Sequence, residues 1–129
     1  TRMTGLQVLA ALLSSLLINN LILKNFVARV RPYEVVGGLT LLIEKQPDWS
    51  FPSGHSASSF AAATVIFLNH PRTGWPALVL AALIAFSRLY VGVHYPTDVL
   101  FGALSGILIG TAVFRLRARA GKGPGRRPD

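Results

Sequence analysis

Residues 6–23 read LQVLAALLSSLLINNLIL, an apolar run broken only by Gln7, Ser14, Ser15, Asn19 and Asn20 and closed by Lys24. Wound as a helix, this stretch rises about 27 Å, close to the ~30 Å hydrocarbon core of a bilayer. It predicts a membrane-crossing helix. Further along, the same pattern recurs from Ser53 or Gly54 to about Asn69, over residues 75–93, and from Thr97 or Asp98 to Phe114. The fold class expected is therefore all-α, a multi-pass transmembrane bundle with about four spans in this chain.

Composition agrees. Of the 129 residues, 51% are hydrophobic and 14% charged, against about 25% charged in a soluble domain. Mean hydropathy is +0.48. The net charge of +8 would suit nucleic acid, but six of the 13 Lys and Arg residues fall after Phe114, in a Gly-, Pro- and Arg-rich tail. A basic tail beside a membrane helix reads as a topology signal or an anionic-lipid contact. No nucleic-acid partner is expected, since the tail lacks interleaved aromatics. The chain has no cysteine, which excludes disulfides and thiolate metal sites.

Between the first two helices, residues 25–50 mix charge with Pro32, the Gly37-Gly38 pair and an apolar piece at 39–43. That piece is too short to span and reads as interfacial. Residues 1–114 are expected to form the membrane domain and residues 115–129 a disordered cytoplasmic tail. The opening Thr1-Arg2-Met3 enters a helix at once, as the middle of a longer chain would. Trp49, Trp75, Tyr90 and Tyr95 read as interfacial aromatics. Gly102, Gly106 and Gly110, four residues apart, form a stripe for close helix packing.

Three polar clusters interrupt the apolar runs. They are Lys24-x6-Arg31-Pro32, Pro52-Ser53-Gly54-His55, and Ser87-Arg88-x5-His94-x3-Asp98. If the helices alternate in direction, all three reach one membrane face, together with four of the five acids. Eight of the 13 basic residues reach the other. The positive-inside rule then sets the tail in the cytoplasm and the clusters on the extracytoplasmic face.

These residue types suit phosphoryl transfer. Lys24, Arg31 and Arg88 are cations able to cradle a phosphate, Arg through a planar fork and Lys as a point charge. Ser53 and Gly54 stand at a helix start, where free N–H groups and the helix dipole favour an anion. His94 lies four residues before Asp98, within reach of a carboxylate that would fix its tautomer and stabilise the cation formed on attack. His55, with no acid nearby in sequence, suits a proton donor. Singly, each residue has a plainer reading: snorkelling for Lys24, Arg31 and Arg88, capping for Ser53 and Asp98. Jointly, in order and on one face, they favour catalysis.

The three clusters resemble the signature of the type 2 phosphatidic acid phosphatase family, which shares its site with the vanadium haloperoxidases. The family pattern is a Lys, six residues and Arg-Pro; Pro-Ser-Gly-His; then Ser-Arg, five residues, His, three residues and Asp. Every position is matched between Lys24 and Asp98. The resemblance implies His94 as nucleophile, Asp98 as its partner and His55 as acid. It implies phosphate binding by Lys24, Arg31, Ser53, Gly54 and Arg88, with no metal and no cofactor. Membrane members usually have about six spans, so N-terminal spans are expected to be missing here. The implied activity is hydrolysis of a lipid phosphate or diphosphate, undecaprenyl diphosphate or phosphatidylglycerol phosphate among the bacterial options. A non-catalytic lipid-phosphate binder or transporter is the alternative, and it needs no nucleophilic histidine.

Overall fold

The computed structural model describes residues 1–35, 50–90, 92 and 94–121. Among them every regular element is a helix: α1 (Arg2–Val27), α2 (Pro32–Val35), α3 (Gly54–Asn69), α4 (Pro71–Tyr90) and α5 (Pro96–Ala120). Of the four spans expected, α1, α4 and α5 are long and apolar enough to cross a membrane. At 16 residues, α3 is shorter and rises about 24 Å. It occupies the middle of the bundle and packs against α1, α4 and α5.

Three expected boundaries move. Helix α4 starts at Pro71 and stops at Tyr90, while α5 continues past Phe114 to Ala120. Proline at a first helical position has no N–H to leave unsatisfied, so Pro71 and Pro96 start helices rather than ending them. The basic residues from Arg115 to Arg119 prolong α5, where cations favour the negative end of the helix dipole. The interfacial piece at 39–43 lies outside the described residues.

Small residues set the packing. Gly54, Ser56, Ala57, Ala61, Ala63 and Thr64 of α3 are buried. A methyl group on Gly102 would stand 2.6 Å from the Ser53 carbonyl, and one on Gly110 2.7 Å from that of Ala61. On Gly106 it would overlap the Ala57 carbonyl. The glycine stripe is thus used inside the bundle, letting α5 lie against the α3 backbone. Ala11, Ala61, Val65 and Ile109 form the small apolar core. Large apolar side chains such as Leu6, Leu13, Leu83 and Leu108 point outward, as lipid-facing residues do.

Helix α1 is not uniform. Over Leu16–Leu23 it widens to the π form, in which the Lys24 N–H donates to the Asn19 carbonyl five residues back. Buried positions Ala11, Ser15, Asn19 and Lys24 follow one line, and the wider turn keeps Lys24 on it. Asn19 is fixed by Ser15 (3.3 Å) and by Ser105 of α5 (2.8 Å). The helix ends at Ala28, whose φ of 51° is the left-handed region usually left to glycine. That reversal costs about 1–2 kcal/mol and turns the chain so that Arg29 and Arg31 come back over the end of the bundle.

Candidate active site

The motif residues gather at the end of the bundle formed by the C-terminus of α1 and the N-termini of α3 and α5. Lys24, Arg31, Ser53, His94 and Asp98 are all buried. Asp98 sits one turn into α5, behind Pro96, where its Oδ2 accepts the Tyr95 N–H at 2.8 Å. This is the carboxylate half of a capping box, so Tyr95 is the cap and Asp98 the third helical residue. Ser50 also donates its hydroxyl to Oδ2, and Arg29 donates to Oδ1 at 2.8 Å.

His94 Nδ1 lies 3.5 Å from Asp98 Oδ2. That is an ion-pair distance without hydrogen-bond geometry, and Nδ1 is buried with no hydrogen-bond partner among the described residues. On the other side of the ring, Arg31 Nη1 stands 3.4 Å from Nε2. Arginine can only donate, so this contact places a lone pair on Nε2 and the ring proton on Nδ1, towards the carboxylate. Burial pushes the His94 imidazole below its ordinary range; Asp98 opposes this, and the Arg31 and Lys24 charges reinforce it. A neutral imidazole with a free Nε2 pair is the form able to attack phosphorus.

Ser53 caps α3, its hydroxyl accepting the Ser56 N–H at 3.4 Å and donating to Ser56 Oγ at 3.0 Å. Its own N–H donates to the Asp98 carbonyl at 3.1 Å. The capping reading of Ser53 is therefore observed, and that N–H is occupied. Gly54 is buried beneath Asn20: a methyl group there would meet Asn20 Oδ1 at 2.6 Å. His55 is exposed in the first turn of α3. Arg88 lies in the last turn of α4, its Nε buried without a hydrogen-bond partner among the described residues. An unsatisfied guanidinium edge of this kind suits an incoming anion.

The sequence reading missed Arg29, Ser50 and Asn20, and took Tyr95 as an interfacial aromatic. Arg29 lies over the Phe51 ring at 5.0 Å and the Tyr95 ring at 5.6 Å. Its position five residues after Lys24 offered no signal beyond charge. His70 bonds Thr4 Oγ1 at 3.2 Å at the opposite end of the bundle. Among the described residues, no three His, Asp or Glu side chains gather as metal ligands.

An open cavity of about 550 Å³ adjoins the Asp98 cluster, lined by Arg29, Val30, Tyr95, Pro96 and Thr97. A larger one, about 630 Å³, opens by His70 and Arg72 at the other end, away from the motif residues.

The model of the PAP2 superfamily matches residues 4–122. The chain is 45% identical over 84 residues to the bacitracin transport permease protein BcrC of Bacillus licheniformis, covering 65% of this chain and 41% of that protein. It is 34% identical over 107 residues to the undecaprenyl-diphosphatase of Sulfolobus acidocaldarius, covering 82% of this chain and 52% of the relative. The chain thus spans about half the length of these curated relatives. The crystal structure of Aquifex aeolicus LpxE superposes with a TM-score of 0.79 at 32% identity, over 89% of this chain and 69% of that one.

Proposed function

The chain belongs to the PAP2 superfamily, and on that ground we propose that it carries the catalytic half of a metal-independent membrane phosphatase acting on a lipid phosphate or diphosphate. The observation that carries this reading is the buried His94, its Nε2 lone pair facing the Arg31 guanidinium that would hold the phosphate and its Nδ1 turned to Asp98. Undecaprenyl diphosphate is the favoured substrate, by similarity to the Sulfolobus acidocaldarius relative. Phosphatidylglycerol phosphate is the second choice.

In the proposed reaction, Lys24, Arg31 and Arg88 hold the phosphoryl oxygens, aided by N–H groups at the start of α3. His94 Nε2 forms a bond to phosphorus as the bond to the leaving oxygen breaks, and His55 gives that oxygen its proton. Asp98 offsets the positive charge on the His94 ring. Water then attacks the phosphohistidine, passing a proton to His55 and releasing phosphate with both histidines restored. The burial of Lys24 and Arg31 facing His94 supports this reading, since preplaced cations need little reorganisation as charge grows. The cavity beside Arg29 suits the first carbons of a lipid chain. The charge bias of the sequence supports an extracytoplasmic site and a cytoplasmic tail.

The test is phosphate release from a panel of lipid phosphates and diphosphates in detergent with EDTA. Turnover in EDTA that disappears in His94→Ala is expected, and activity that survives in His94→Ala would rule out this nucleophile. A non-catalytic binding or transport role is the second reading, favoured by the name of the Bacillus licheniformis relative. It requires a folded protein that binds lipid phosphate and releases none.

A further inference from the structure

Arg29 is none of the residues assigned above as nucleophile, acid or phosphate ligand, yet it is tied closely to them. Its Nη1 donates to Asp98 Oδ1 at 2.8 Å and to Thr97 Oγ1 at 2.6 Å, and its guanidinium is flanked by the Phe51 and Tyr95 rings. Its side chain is 37% exposed, whereas that of Asp98 is fully buried. Both Asp98 oxygens therefore have donors other than His94: Arg29 on one, Ser50 and the Tyr95 N–H on the other.

We propose that Arg29 is a positioning residue that acts through Asp98, fixing the carboxylate's orientation and offsetting its charge so that His94 stays uncharged until it attacks. An unshielded buried carboxylate beside an imidazole favours the imidazolium, which has no lone pair for phosphorus. A cation on the far oxygen weakens that pull without moving the near oxygen, which stays aimed at Nδ1 for the moment the ring becomes charged. Among the described residues, the charges facing His94 are Asp98 from α5, Arg31 from the turn after α1, and Lys24 from α1. His55 on α3 and Arg88 on α4 stand at the same end of the bundle. Arg31, not Arg29, is the arginine at Nε2.

The kinetic part of this inference rests on the phosphatase reading; the effect on His94 does not. The experiment compares wild type, Arg29→Gln and Arg29→Lys of the full-length protein in detergent. It records phosphate release against pH and titrates His94 by NMR. In Arg29→Gln the acid limb of kcat/KM and the His94 midpoint should both rise by about half a pH unit or more. Its kcat should fall about tenfold with KM within about twofold, as for loss of an orienting partner. Arg29→Lys keeps the charge, so its profile should superimpose on wild type; this variant serves if Arg29→Gln does not fold. A raised KM at unchanged kcat would make Arg29 a substrate ligand and overturn the proposal. An unmoved His94 midpoint in Arg29→Gln, or a displaced one in Arg29→Lys, would overturn it too. Should wild type release no phosphate, the phosphatase reading fails, and the NMR titration still decides whether Arg29 controls His94.

Discussion

His94 Nδ1 and Asp98 Oδ2 stand 3.5 Å apart, both side chains buried, with no hydrogen bond closed between them. The gap follows from the carboxylate's other duties. Asp98 completes the capping box of α5, accepts from Ser50, and pairs with Arg29 before it serves His94. One side chain thus holds a helix start, the segment before α3 and the turn after α1 around the proposed nucleophile.

Asp98→Asn should lower turnover by about 10³-fold, because an amide can neither stabilise the imidazolium nor fix its tautomer. The variant keeps an acceptor for the Tyr95 N–H, so it should remain folded. Single-turnover phosphate release beside a thermal melt separates the two effects. A folded variant with wild-type turnover would remove Asp98 from the mechanism.

Stability should depend on pH through His94. Burial leads the effects that hold its imidazole below 6.5, so under mild acid the folded protein binds fewer protons than the unfolded chain. The neutral ring carries no penalty above 6.5, and stability is lost as pH falls from there towards the lowered folded value. Melting temperatures of wild type and His94→Gln should therefore diverge below that pH, with wild type losing more. Parallel curves would contradict the assignment.

Vanadate should inhibit by occupying the phosphate position, and Arg88→Gln should weaken that inhibition about tenfold or more by removing a charged donor. The buried Arg88 Nε, without a hydrogen-bond partner among the described residues, is the basis for this. Equal inhibition of both proteins would place Arg88 outside the phosphate site.

Gly106→Ala should destabilise the bundle by about 1–3 kcal/mol, since its methyl overlaps the Ala57 carbonyl and backbone must move. Gly5→Ala is the control: it has nothing within 4 Å and should be neutral or slightly stabilising. Reversible unfolding in detergent measures both.

Much of the architecture was legible in the chain because apolar run length and helix-start chemistry are local properties. Residues 6–23 announced a span, Ser53 a helix start, and the Gly102 stripe a close crossing. The ends of α4 and α5 were less legible. Proline is favoured at a helix start and disfavoured further in, though α4 carries Pro76 within it, and composition alone does not tell which role Pro71 and Pro96 take.

The sequence by itself determined the residue types of the site, because the spacing within each cluster is fixed by covalent connection and helix pitch. His94 stands four residues before Asp98 in the chain, and the extended Tyr95 cap of α5 lets its ring reach the carboxylate. Only the tertiary structure decided what those groups touch across the chain. It brought Arg29 to Asp98, 69 residues away, and Arg31 to His94, 63 residues away. It also gave the Ser53 N–H to the Asp98 carbonyl. Those contacts depend on the left-handed turn at Ala28, the π segment before Lys24 and the glycine-mediated approach of α5 to α3. Of these, the glycine spacing alone is written in a local pattern; the turn at Ala28 and the π segment follow from how whole helices pack.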